Sequence, residues 1–529
     1  MKILTAAEMG EADRRTAEEF NIPLASLMEQ AGEAVAHFCL RRYPLALSIT
    51  VLCGRGNNGG DGLVAARCLA AAGRKVHVLL TNPESDFKSE SAVAMGRLRA
   101  DASSVMVETL AKDTAEAQMD AALISAELII DALLGTGFKP PLRGRAVELR
   151  DKLAEMATPV VAVDLPSGWD ADSLALRAET AFRADAVVTF TAPKLAHVFG
   201  SMTSGPVVVA GIGSPDAAVV SAERLSWTGS SKQLAEQPRS VDANKGTFGH
   251  VLIVGGSYGK AGAPSMAALA ALRTGAGLVT AAVPKSIVNT VARVAPELMI
   301  ESLTEGERGA VSFKNLDAAR LESLLKKMTV LALGPGLSTQ GDAPEFARHL
   351  VQKTTLPVVI DADALNAFEK RASLLDGSNR TMVLTPHPGE MARLAGLTVK
   401  QVEADRIGLA RKFATEHKLT LVLKGWRTLI AHPDGSVAVN TTGSPAMAKG
   451  GSGDILTGIV AAMLAQFPND VARAVETAVY LHGLAGELAA RSMDEHTVLA
   501  TDTVTYLSEA FRYRVKDKDG MTWISGLQG

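Results

Sequence analysis

The stretch ITVLCGRGNNGGDGLVAARCLAAAGRKVHVLL, Ile49 to Leu80, decides the fold. It opens on an apolar run, Ile49–Cys53, and passes through a glycine-rich loop. It then takes up helical periodicity over Leu63–Ala72 and closes on a second apolar run, Val76–Leu80. Strands with no polar alternation, separated by a helix, mark a βαβ unit whose sheet is covered on both faces. The same pattern predicts further strands at Leu128–Asp131, Val160–Asp164, Val187–Phe190 and Val207–Ala210. It restarts at His250–Val254, Val330–Leu333, Val358–Asp361, Met382–Leu384, Leu421–Leu423 and Thr428–Ala431. The expected class is α/β with mostly parallel, doubly wound sheets, in which ligands bind beyond the carboxyl ends of the strands.

At 529 residues the chain exceeds what one hydrophobic core sustains, so two domains are expected. The boundary is read from the polar stretch SPDAAVVSAERLSWTGSSKQLAEQPRS (214–240), which has no sustained apolar run. The division is a first domain over 1–213, a linker over 214–235, a second domain over 236–515, and a poorly ordered tail over 516–529. A net charge of −3 gives no basic field for nucleic acid or an anionic membrane. Three cysteines, Cys39, Cys53 and Cys68, lack metal or disulfide spacing and fit a reducing compartment. With no apolar leader after Met1 and no run long enough to span a bilayer, a cytoplasmic protein is expected.

Chemistry gathers at the predicted strand ends. Gly54-Arg55-Gly56-Asn57-Asn58-Gly59-Gly60-Asp61-Gly62 joins a strand to a helix start, where free N–H groups and the helix dipole suit a phosphate. Its spacing is not that of the dinucleotide fingerprint. A glycine-rich turn capped by asparagine would need fewer special residues. Asp131 and Asp164 close two more strands, followed by the loop Gly135–Pro141 and by Ser167-Gly168. A lone aspartate there is most often a cap. Together these oxygens suit a site holding a monovalent cation. In the second half, Gly450-Gly451-Ser452-Gly453-Asp454 opens the helix Ile455–Ala465. Its N–H groups form an anion hole for a transferring phosphoryl group, with Asp454 placed as general base. Loops at Gly255–Pro264, Gly334–Gly336, Asp361–Asn366, Thr385–Glu390 and Lys424–Thr428 converge on it.

In order, GRGNNGGDG, DALLGTGF and DLPSG resemble the YjeF N-terminal family, the NAD(P)H-hydrate epimerases, over about residues 1–213. The resemblance implies a Rossmann-like three-layer α/β/α domain. It implies potassium on Asn58, Asp131 and Ser167. It implies contacts to the hydrated nucleotide from Asn57, Asn58, Gly59, Gly60, Asp61, Gly135, Thr136, Gly137, Phe138, Lys139, Pro140, Pro141 and Asp164. Asp164 is the expected proton-transfer residue.

The second half is similar to the ribokinase-like superfamily, and more narrowly to the YjeF C-terminal family, the ADP/ATP-dependent NAD(P)H-hydrate dehydratases. The resemblance rests on GGSYGKAGAP, GPGLS, IDADALN, LTPHPGE, LKGWRT and AKGGSGDILTG. It implies that Ala263, Gly336, His387 and Asp454 meet the hydrate. Lys424, Gly425, Trp426, Arg427, Thr428 and Gly453 would hold the adenine nucleotide, with magnesium on its phosphates. The chain departs from the family at Ser444-Pro445-Ala446, where Asn-Pro-Gly is usual.

The implied function is repair of hydrated NADH and NADPH. The R and S hydrates (NADHX and NADPHX) are interconverted, and the S form is dehydrated at the expense of ADP, giving AMP and phosphate, or of ATP. Partners are small molecules and further copies of the chain in a homo-oligomer, not nucleic acid or membrane. Two alternatives stand beside it: a ribokinase-like small-molecule kinase with a nucleotide-binding module in front, and a first domain that binds without catalysing.

Overall fold

The βαβ reading of Ile49–Leu80 holds in the structure, a computed structural model that describes residues 1–110 and 115–528. Two helices, α1 (Ala6–Phe20) and α2 (Leu24–Arg42), precede it. Strand β1 (Ser48–Cys53) then leads through α3 (Asn57–Ala71) to β2 (Lys75–Leu80), and the two strands pair in parallel with Val51 opposite Val78. Burial on both faces explains the lack of alternation: Val51, Leu52, Cys53, Val78, Leu79 and Leu80 are all fully buried.

The chain divides into two compact units. The first is Met1–Leu225 with the segment from Arg514 onward, and the second is Ser226–Tyr513. The first unit adds β3 (Met106–Thr109), β4 (Leu128–Ala132), β5 (Val160–Val163), β6 (Ala186–Phe190) and β7 (Val207–Ala210). The second carries β8 (Leu225–Trp227), β9 (His250–Val254), β10 (Leu278–Pro284), β11 (Met299–Leu303), β12 (Val330–Leu333) and β13 (Val358–Ile360). It continues with β14 (Met382–Leu384), β15 (Thr420–Leu423), β16 (Leu429–Ala431) and β17 (Val437–Val439). One last strand, β18 (Thr522–Ser525), returns to the first unit.

The first sheet runs β18-β7-β6-β5-β4-β1-β2-β3, parallel except for β18. The second runs β11-β10-β9-β12-β13-β14-β15-β16-β17-β8, parallel from β11 to β15 and antiparallel from there through β17. Each order reverses once. After β3 the chain returns to lay β4 beside β1, and after β11 it lays β12 beside β9. Such reversals open a crevice at the carboxyl ends. Both crevices need glycine, because two backbones meet there. A Cβ on Gly54 would lie 2.1 Å from the Leu133 carbonyl oxygen, and one on Gly255 would lie 2.3 Å from that of Pro335.

Three expectations are corrected. The tail from Lys516 is ordered: β18 pairs antiparallel with β7, and Met521 and Trp523 join the first unit's core. Arg41 binds Asp517 and Asp519, and Trp523 Nε1 donates to Asp517 Oδ2 at 3.0 Å. Its charged, glycine-bearing approach hid a strand that needs only one buried face. The stretch read as a linker divides at Leu225. Beyond it Trp227 is buried with Nε1 donating to Thr441 Oγ1, and Lys232 is fully buried. The strands predicted to end on Asp164 and Asp361 stop one residue earlier. Asp164 turns into the left-handed region at φ 64°, and Asp361 precedes the short helix Ala362–Asn366. Among the described residues no helix is long and apolar enough to cross a membrane.

Trp523→Ala is expected to lower the first unit's stability by about 3–5 kcal/mol, the usual range for a buried tryptophan. Calorimetry of the full chain should show the first unit's transition moving down and the second's staying in place.

Candidate functional site

At the first crevice, the walls of a cavity of about 1110 Å³ come from α1, α2, the Gly54–Asp61 loop and the segment after β4. Asn57, Asn58, Asp61, Gly135, Thr136, Gly137, Phe138, Lys139, Pro141 and Asp164 all line it. Gly59 and Gly60 sit behind that wall: a Cβ on Gly59 would meet the Gly54 carbonyl, and one on Gly60 would meet Met28. The loop's second half is itself the first turn of α3, so free N–H groups begin at Asn57.

Asp164 is the most constrained group in this cavity. It is buried, its backbone is held at φ 64°, and its Oδ1 accepts from Lys194 Nζ and Thr189 Oγ1, both at 2.8 Å. Its Oδ2 accepts from Thr136 N–H at 3.2 Å. A non-glycine residue kept in that region is strained, and such strain gathers at functional positions. Burial alone would raise this carboxyl. Lys194, with His197 and Thr189, more than offsets it, so Asp164 stays below the ordinary aspartate range. Asp61 goes the other way, driven well up by burial and by the charges of Asp164 and Asp13.

Asp131 and Ser167 lie beneath, fully buried. Asp131 Oδ1 accepts from Ser167 Oγ at 2.6 Å and its Oδ2 from Ser167 N–H at 2.8 Å. Burial pushes Asp131 up to about 6 against these bonds. Asn58 is buried too, and both its side-chain polar atoms lack a hydrogen-bond partner. An orphaned amide oxygen in a protein interior is costly unless something binds it, and a weakly hydrated cation suits such a donor set.

In the second unit the helix Ser452–Gln466 starts from Gly451, placing Asp454 in its first turn. A Cβ on Gly453 would lie 3.3 Å from Lys424 Nζ, so the lysine head lies close against the glycine loop. Lys424 Nζ donates to Asp361 Oδ1 at 2.9 Å and lies 3.8 Å from Glu390 Oε2. Asp361 also accepts from Thr385 Oγ1 and Thr457 Oγ1, both at 2.8 Å. Burial opposes the charge on Lys424, but Asp361 and Glu390 prevail and keep it firmly protonated. Burial first, then the Asp361 charge, pushes Asp454 up to about 6.

The other predicted residues take separate parts. Gly336 packs on Ala263, whose Cβ would be 3.1 Å from an added Cβ. His387 caps the helix Pro388–Ala395, its Nδ1 accepting from Gly389 N–H at 3.0 Å, while its Nε2 lies 3.6 Å from Glu390 Oε1. Half-exposed Trp426 carries the Arg427 guanidinium 4.2 Å from its ring centroid, while Thr428 ties the turn to Gly425. At the departure from the family pattern, Ser444 Oγ accepts from Ala446 N–H and caps a single turn.

Sequence reasoning missed Asp13, Thr189 and Lys194, and it quoted Asp361, Glu390 and Thr457 without a role. A lysine in the mostly apolar TAPKLAHVF was a signal for Lys194. Asp13, among six other charged residues on α1, gave none.

Residues 24–196 match the family model described as YjeF-related protein N-terminus, and residues 251–510 match the one described as NAD(P)H-hydrate dehydratase. The chain is 40% identical over 520 residues to the bifunctional NAD(P)H-hydrate repair enzyme Nnr of Moorella thermoacetica, covering 97% of each. To the enzyme of the same name from Thermofilum pendens it is 35% identical over 514 residues, covering 97% of this chain and 96% of that one. A crystal structure of the Bacillus subtilis ADP/ATP-dependent NAD(P)H-hydrate dehydratase, co-crystallized with ATP/Mg2+, aligns with 55% of this chain and 99% of its own. The identity is 31% and the TM-score 0.47.

Lys194→Ala would leave Asp164 as a buried carboxylate with no counter-ion, and a loss of about 3–5 kcal/mol is expected at neutral pH. Asp164 titrates below its unfolded value, so its contribution is present above that value and lost as pH falls through the folded one. Denaturant unfolding should therefore separate wild type from variant at pH 7 and bring them together in acid.

Proposed function

The chain belongs to the bifunctional NAD(P)H-hydrate repair enzymes, and we propose that its first unit interconverts the R and S hydrates while its second dehydrates the S hydrate with ADP. It is an enzyme with epimerase and dehydratase activities. The kinase alternative is set aside, since the similarity runs through both halves and into an epimerase-type first domain. Residues 1–213 carry the epimerase site and 236–515 the dehydratase site. The protein works in the cytoplasm, as a homo-oligomer, on small molecules.

In the dehydratase the observation that carries the reading is Asp454 in the first turn of the helix Ser452–Gln466, beside Lys424. A carbinol hydroxyl leaves poorly. Asp454 takes its proton while the oxygen attacks the terminal phosphorus of ADP, and AMP departs. The ring nitrogen lone pair then expels phosphate, and loss of a ring proton restores the dihydronicotinamide. The N–H groups of the Gly450–Asp454 turn stabilise charge on the moving phosphoryl group. Lys424 and Gly453 hold the nucleotide phosphates, with Trp426 and Arg427 as a flat surface for its base. Ala263, Gly336 and His387 seat the hydrate. Magnesium, where it binds the nucleotide, neutralises phosphate charge.

In the epimerase, the N–H groups from Asn57 onward hold the hydrate's phosphates, and Gly135–Pro141 folds over it. Asn58, Asp131 and Ser167 would hold potassium, whose charge steadies the loops around the anionic ligand. Asp164, kept ionised by Lys194, accepts a proton at the hydrated ring carbon's hydroxyl.

Asp454→Asn is expected to lower dehydration by about 10²–10⁴-fold while leaving epimerisation intact. Because Asp454 acts as the carboxylate and sits near 6, wild-type dehydration should rise as pH climbs through about 6, and the variant should lack that limb. Phosphate release in the presence of ADP measures both. For the cation, Asp131→Ala should weaken hydrate binding and remove its dependence on potassium. Titration in potassium-free and potassium-containing buffer reads this directly.

A further inference from the structure

Inverting a carbinol carbon requires the hydroxyl to leave one face of the ring and return to the other. A proton must be delivered on departure and removed on return. One carboxylate fixed at one wall serves one of these events, and Asp164 is fixed there by Lys194 and Thr189.

A second carboxylate faces the same cavity from a different element. Asp13 lies on α1, whose start is set by Thr5 and Glu8 in a capping box. Met9, Asp13 and Ala17, spaced one turn apart, line the cavity from α1, flanked by Gly10, Arg14 and Glu18. Asp13 Oδ1 is buried and makes no hydrogen bond. An unanswered carboxylate oxygen on a cavity wall is costly unless the group is protonated or meets a ligand.

We propose that Asp13 is the second proton-transfer residue of the epimerase site, paired with Asp164 across the hydrated nicotinamide ring. This rests on the epimerase reading above. In the forward sense protonated Asp13 gives its proton to the ring hydroxyl. The C–O bond breaks, water departs, and the ring nitrogen lone pair forms a C=N bond. Water then adds to the other face, the C=N electrons return to nitrogen, and the water's extra proton goes to Asp164. One proton has moved from Asp13 to Asp164 and no co-reactant is consumed. The reverse reaction returns it, so a site holding one proton between the two carboxyls serves both directions.

The surroundings fit this sharing. Burial pushes Asp13 up to about 6, with Lys194 lowering and Asp164 raising it, while Asp164 itself lies low. Carboxyls driven apart in this way are the mark of an acid and base pair. Asp61, which also faces the group, is itself driven well up by burial and by the charges of Asp164 and Asp13.

The test uses the full-length protein, a single-epimer hydrate of NADH and no nucleotide, with the epimer ratio followed by chiral chromatography. Asp13→Asn is expected to slow epimerisation by about 10²-fold or more. Wild-type turnover should fall as pH rises through about 6, and this limb should vanish in the variant. Hydrate affinity and ADP-dependent dehydration should be unchanged, which shows that the chain is folded. Asp13→Glu, which keeps the carboxyl, should recover part of the rate and the limb. Unaltered epimerisation in Asp13→Asn overturns the proposal. So does a loss seen only as weaker binding with the pH limb retained. A wild-type protein that does not epimerise at all overturns the underlying reading instead.

Discussion

A carboxylate kept ionised away from water needs hydrogen bonds or a positive charge, and in both sheets a lysine supplies the charge at the end of a parallel strand. Asp164 follows β5 and is met by Lys194 at 2.8 Å; Asp361 follows β13 and is met by Lys424 at 2.9 Å. An uncompensated buried ion costs several kcal/mol, a large part of a domain's whole stability. The loops that deliver these lysines are therefore not free to drift. Each pair in turn collects others: Thr189 and the N–H of Thr136 on Asp164, Thr385 and Thr457 on Asp361. The ligand-facing loops take their positions from these two ion pairs.

The two sites use that foundation differently. In the first, Asp13, Asp61 and Asp164 share one cavity with the buried Lys194 ammonium, so their affinities for protons spread apart, which suits moving a proton and no other group. In the second, a helix start and a protonated lysine face the same point. Positive potential is concentrated where negative charge develops in phosphoryl transfer. The same scaffold serves both chemistries because the crevice where strand order reverses is indifferent to which side chains line it.

Much of this was legible in the sequence, and the reason is physical. Buried parallel strands must be apolar, and close backbone approach at their ends demands glycine, so Ile49–Cys53, Gly54, His250–Val254 and Gly255 announce themselves. What stayed hidden lies where those constraints relax. The edge strands β3 and β11 keep Glu108 and Glu301, because one flank is free of a partner and side chains can reach water. Strand β10 is buried but carries Thr280 and two alanines, too little apolar bulk to stand out. Lys194 matters through Asp164, 30 residues away, and Asp13 through Asp164 and Lys194, farther off still, and no local pattern encodes such pairings. Gly59 and Gly60 show the reverse: in a motif made conspicuous by its suitability for a ligand, packing by itself already demands glycine at these two positions.

The return of the C-terminal segment to the first sheet constrains how the chain is made. Without β18, strand β7 would present an open edge, and Met521 and Trp523 would be missing from the core beside Val208 and Ala210. The first unit's other strands leave the ribosome more than 300 residues before its last one, with the whole of the second unit between them. Domains tend to fold as units in order of synthesis, and open strand edges invite wrong pairing. The first unit must therefore persist with β7 uncovered while the second folds. Two features suit that wait. The edge is short, four residues from Val207 to Ala210, and the strand that finally covers it is approached by charged residues, Lys516 to Asp519. Arg41 binds Asp517 and Asp519 of that approach, so a charge pattern that obscures the strand in the sequence is also part of what docks it.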